Sequence, residues 1–109
     1  MSIVSMLFEQ KRWLPQVILS YRVTGTPNSS GVSWVYKYDT EAEEFNRDFF
    51  NKDYSPSLAN GTLLGVGTER IHQKDWHDNY QYFRKILKCP DYPMVVGDWI
   101  AESEITKVN

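Results

Sequence analysis

The chain has 109 residues, an aromatic share of 15%, a charged share of 24% and a net charge of −2. That length suits one domain with a core of its own, needing neither metal nor disulfide staples, and the composition is not that of a disordered chain. The near-neutral balance, with basic residues scattered from Lys11 to Lys107, provides no overall field for nucleic acid or an anionic membrane, and the single cysteine excludes an intrachain disulfide and a Cys-rich zinc site.

Residues 1–12 (MSIVSMLFEQKR) carry an apolar run too short to span a bilayer, followed instead of preceded by positive residues. Neither a signal peptide nor a transmembrane helix is expected, and a reducing cytoplasm is the expected location. Periodicity does not decide between helix and strand in this opening stretch. From Gln16 to Thr24, Val17, Leu19, Tyr21 and Val23 alternate with Ile18, Ser20, Arg22 and Thr24, the period-2 pattern of a strand. Val32, Trp34, Tyr36 and Tyr38 alternate likewise, and Pro27, Asn28 and Gly31 between the two runs predict a β-hairpin.

Thr40 stands three residues before Glu43, the spacing of a capping box, so a helix is predicted over DTEAEEFNRDFFNK. On it Ala42, Phe45 and Phe49 share one side and Glu41, Glu44 and Asp48 form an acidic stripe. Residues 24–31 and 52–61 read as loops, and their two Asn-X-Ser/Thr triplets as turn residues. Residues 61–72 (GTLLGVGTERIH) predict a strand loosened by Gly65 and Gly67. A second helix is predicted from about Asp75 to Lys88, stopped by Pro90 and Pro93, because Trp76, Tyr80, Phe83 and Leu87 make an apolar seam at helical spacing. The tail PMVVGDWIAESEITKV predicts a strand kinked at Gly97. The expected fold class is α+β, a small antiparallel sheet of about four strands with two helices packed on one face.

Chemistry is sparse. His72 and His77 are five apart, a mismatch for two ligands on one helix, so no metal is expected. Cys89, at the carbonyl end of the predicted helix, is a poor nucleophile. GVSWV has Val35 where a nucleophile elbow needs glycine, and GTLLGVGTER lacks both the lysine of a phosphate loop and the third glycine of a dinucleotide fingerprint. No catalytic residue and no cofactor emerge. Glu41, Glu44 and Asp48 share one surface and cannot flank a substrate bond.

The first expectation for function is therefore a non-enzymatic interaction protein that binds and blocks or modulates a larger partner, of the small inhibitor, immunity or anti-defence kind made by phages and mobile elements. Its contact residues are the stripe Glu41, Glu44 and Asp48 and the surplus aromatics Phe50, Tyr54, Tyr82 and Tyr92, which lack an assigned burial partner. The patch serves a homodimer equally well. The alternative is a small-ligand binder or modest enzyme whose cleft, at residues 54–77, gathers Arg70, His72, Asp75 and His77, an imidazole beside a carboxylate being a competent acid–base pair. Single-stranded nucleic acid is a weaker third option, since the interleaved aromatics and bases are needed for a core.

Overall fold

A chain of backbone hydrogen bonds between antiparallel strands, with no α-helix among the described residues, builds this molecule. A computed structural model describes residues 18–25, 31–46, 57–75 and 77–108. Among the described residues nine strands follow one another: β1 (Tyr21–Val23), β2 (Val32–Ser33), β3 (Val35–Asp39), β4 (Glu44–Asn46), β5 (Leu58–Ala59), β6 (Leu63–Lys74), β7 (Tyr80–Lys88), β8 (Trp99–Ala101) and β9 (Ile105–Lys107). Single 3-10 turns at Pro93–Val95 and Glu102–Glu104 flank β8. Seven strands form one sheet in the order β4-β3-β8-β7-β6-β1-β9, and β2 and β5 form a small second sheet.

Directly paired residues share a face of the sheet. Val35 pairs with Ile100 and Ile100 with Arg84, so these lie on one face. Tyr36 pairs with Trp99, and Phe83 with Ala101, on the other. Each face has its own core. The first is aliphatic, with Val23, Val35, Leu64, Ile86 and Ile100 buried, and Leu58 of the small sheet seals it. The second is aromatic: Tyr36, Phe83 and Trp99 are buried, with Tyr38, Phe45 and Ile71 packed against them. Phe45 sits 4.4 Å from the Phe83 ring and 5.7 Å from Trp99, centroid to centroid. Such ring pairs add about 1 kcal/mol each beyond the area they bury.

The expected α+β fold is therefore overturned: the described parts of both predicted helices, residues 39–46 and 77–88, are β-hairpin material, and residues 47–52 of the first lie outside the described residues. At Thr40 the chain turns instead of coiling, because Asp39 Oδ1 accepts the amides of Glu41 (3.0 Å) and Ala42 (3.2 Å) and Glu43 takes a left-handed φ of 53°. That conformation ends any helix, and it sends Phe45 back to pair with Tyr38. The second predicted helix is β7, the partner of β6 along most of its length. Its apolar spacing misled because both faces are buried: Phe83 serves the aromatic core and Ile86 the aliphatic one, three residues apart on opposite sides. Of the expected seam, Tyr80 and Leu87 are exposed, and Trp76 lies outside the described residues.

The predicted pairing of the first two strands also fails. β1 pairs with β6 and β9 instead, while residues 32–39 pair with β5, β4 and β8. The strand expected at 61–72 is present as β6, with register shifts between Gly65 and Val66 and between Val66 and Arg70. In the tail the expected kinked strand is replaced: Pro93–Val95 is a 3-10 turn, Gly97 takes a φ of 97°, and both short strands, β8 and β9, lie after it.

Candidate functional site

The β6–β7 hairpin positions the chemistry-bearing residues that the sequence singled out. Its turn is organised by Asp75. One carboxylate oxygen, Oδ1, accepts the amides of His77 and Asn79, both at 2.9 Å, and Oδ2 accepts Gln81 Nε2 at 2.7 Å. Gln81 Oε1 in turn accepts the Ser103 hydroxyl at 2.7 Å, tying the turn to the segment after β8. Asp78 takes the left-handed φ of 71° that closes the loop, a conformation aspartate tolerates better than most residues.

Beyond the turn, alternation sorts the side chains. Ile71 faces Phe83 and Gln73 faces Gln81 on the covered side. On the outer side the pairs are Lys74 with Tyr80, His72 with Tyr82 and Arg70 with Arg84. These form a continuous ladder. Lys74 Nζ lies 5.3 Å from the Tyr80 centroid, and the His72 ring lies 5.4 Å from Tyr80 and 4.8 Å from Tyr82. The Arg70 guanidinium covers Tyr82 at 3.8 Å.

The three cations of the ladder share two acids. Arg70 grips Glu102 with two bonds, Nε to Oε2 at 2.9 Å and Nη2 to Oε1 at 3.1 Å. Arg84 Nη1 reaches the same Oε2 at 3.6 Å while its Nε donates to the Gly67 carbonyl at 2.6 Å. Lys74 pairs with Asp78 at 3.5 Å. Tyr80 and Tyr82 nevertheless stay open, at 65% and 42% exposure.

At the tip, between the hairpin and β4, lies an open cleft of about 410 Å³. Tyr36, Phe45, His72 and Tyr80 supply its rings, and Glu44, Asp75, Asp78 and Lys74 its charges. Gln73 forms its base by a two-point clamp on β4, accepting the Phe45 amide at Oε1 (2.8 Å) and donating from Nε2 to the Glu43 carbonyl (2.7 Å). A side-chain amide thus imitates one rung of strand pairing.

The residues expected to act together are divided. Arg70 and His72 meet on either side of Tyr82, His72 and Asp75 both line the cleft, and His77 lies exposed on the turn outside that lining. Of the expected partner-binding residues, Tyr82 is on the ladder, Glu44 on the cleft, and Glu41 exposed in the β3–β4 turn. Tyr92 packs against the aliphatic core, so it is not surplus. Asp48, Phe50 and Tyr54 lie outside the described residues. Among the described residues no group of three or more His, Cys, Asp or Glu side chains is arranged to hold a metal ion. Cys89 is buried, 2% exposed, and burial raises its thiol pKa, with a further push from Asp91 against a backbone hydrogen bond from Tyr92. It is held as a packing group.

Sequence reasoning missed Tyr80, which it placed in a buried seam, and Glu102, which it did not weigh. The alternation of Arg70, His72 and Lys74 with Ile71 and Gln73, continued after Asp78-Asn79 turn chemistry, is the signal that would have found the ladder.

No family model, no curated protein and no solved structure matches this chain significantly. The described residues include no helix long and apolar enough to cross a membrane.

Proposed function

We propose that this chain is a non-enzymatic interaction protein that docks on a larger protein partner through the outer face of the β6–β7 hairpin and so blocks or modulates it. One observation carries the reading: Tyr80 and Tyr82 are exposed yet stacked against His72, Arg70 and Lys74. Rings already held in place lose little freedom on binding, which makes them efficient contact anchors. Arg70 adds a planar, weakly hydrated cation at the same spot.

The pairing of the cations favours a protein over single-stranded nucleic acid. Phosphate binding draws its affinity from unpaired Lys and Arg that release counterions, whereas Arg70, Arg84 and Lys74 share the two acids Glu102 and Asp78, which leaves the ladder only one net positive charge. The ligand-binding or enzymatic alternative has less behind it. Asp75, its orienting carboxylate, spends both oxygens on the turn, and the His72 ring packs between two tyrosines. A buried, unpaired Cys89 is compatible with a reducing cytoplasm.

The test is capture from the native host with the wild-type chain and a Tyr80→Ser/Tyr82→Ser double variant, whose folding is checked by circular dichroism. Loss of two anchors should weaken retention of the partner by about thirtyfold or more. Equal retention by both chains, or recovery of a single-stranded nucleic acid that leaves at moderate salt, would refute the proposal.

A further inference from the structure

The cleft at the hairpin tip is a separate feature from the ladder, and its chemistry is specific. Three carboxylates, Glu44, Asp75 and Asp78, face it against one ammonium, Lys74. They are not equivalent. Asp75 is consumed by the turn and Asp78 is paired with Lys74, but among the described residues no cation pairs with Glu44. Four rings, Tyr36, Phe45, His72 and Tyr80, contribute to its lining. Both polar atoms of Gln73 are held by β4, which fixes the amide at the base of the cleft. An anion would face three carboxylates against a single ammonium already paired with Asp78, and a neutral apolar group would strand the acids.

We infer that the cleft is a socket for an arginine side chain of the docked protein. A guanidinium stacks on aromatic faces and bonds a carboxylate through a flat fork, which a compact ammonium does not. The volume, about 410 Å³, holds one such side chain with adjoining backbone. Glu44 supplies the unpaired acceptor, Asp78 exchanges part of its hold on Lys74 for the incoming charge, and Tyr80 belongs to both features, so an arginine entering here lies beside a partner surface resting on the ladder. The inference rests on the docking reading above and adds the chemistry of the group recognised.

The experiment uses the full chain and two small probes, N-acetyl-arginine methylamide and its neutral citrulline counterpart, followed by amide chemical shifts. The arginine probe should saturate with shifts confined to residues 44–45 and 72–80. Citrulline in its place, or Glu44→Gln in the protein, should weaken binding about threefold or more, the scale of a part-exposed ion pair. Equal response to both probes, shifts spread over the surface, or indifference to Glu44→Gln would overturn the inference. A Tyr82→Ser variant, whose change lies outside the cleft lining, separates the two ideas. If it loses the partner while arginine binds neither chain, docking stands and the socket falls. If it keeps the partner while arginine binds with the expected selectivity, the socket stands and docking through the ladder falls.

Discussion

Two hairpins of this protein are built alike and used in opposite ways. In β3–β4, Asp39 caps the turn by accepting two amides and Glu43 supplies the left-handed residue; in β6–β7, Asp75 caps and Asp78 supplies it. The first hairpin turns its rings inward, with Tyr36, Tyr38 and Phe45 packed over Phe83 and Trp99. The second turns Tyr80 and Tyr82 outward and props them with cations. Turn chemistry therefore sets where the chain reverses, whereas the face each ring occupies sets what the ring does. Gln73 joins the two hairpins, and the cleft forms where they meet.

The contrast is sharpest in stability. Phe83→Ala removes a fully buried ring that touches Tyr36 and Phe45, and it should cost about 3–5 kcal/mol in urea unfolding. Tyr80→Ala on the outer face should stay within about 0.5 kcal/mol of the wild type. Similar losses at both positions would erase the distinction between inward and outward rings.

A smaller effect tests the join. Gln73→Ala deletes both bonds that hold β4, and a loss of about 1–2 kcal/mol is expected, with faster hydrogen exchange at the Phe45 amide. Unchanged protection there would mean that ring packing alone keeps β4 in place.

The smallest effect is a pH signature beside the inward hairpin. Burial raises the Asp98 carboxyl pKa above its ordinary 3.8, and attraction to Lys37 on β3 only partly offsets this. The folded chain thus holds that proton more tightly than the unfolded chain. The resulting stabilisation is complete below pH 3.8 and is lost as pH rises through the raised folded value. Relative to wild type, Asp98→Asn should melt higher at pH 7 than at pH 3.5. A melting difference that does not vary with pH would show that the site does not titrate differently in the two states.

How much of this was readable beforehand depends on how many faces of a strand are covered. The 61–72 strand and its glycine-loosened register were legible because their signals are local. In β7 they were not. A strand with one wet face alternates with period two, but Phe83 and Ile86 bury on opposite faces and leave an i, i+3 spacing that imitates a helix. The same masking hid the site. The false period places Tyr80 inward with Phe83, although on a strand the two residues face opposite ways. Arg70, His72 and Asp75 were picked out by residue type alone, without the partners that give them their roles.

The amino-acid string by itself determined the near-neutral charge, the high aromatic share and the absence of any local catalytic or nucleotide motif, since these follow from composition and nearest neighbours. Only the tertiary structure decided that Tyr80 and Tyr82 face out, that Glu102 is shared by Arg70 and Arg84, and that Gln73 closes a cleft against β4. Those outcomes depend on which strand lies beside which. Glu102 is 32 residues from Arg70, and Phe45 is 28 from Gln73, separations over which no sequence period carries information.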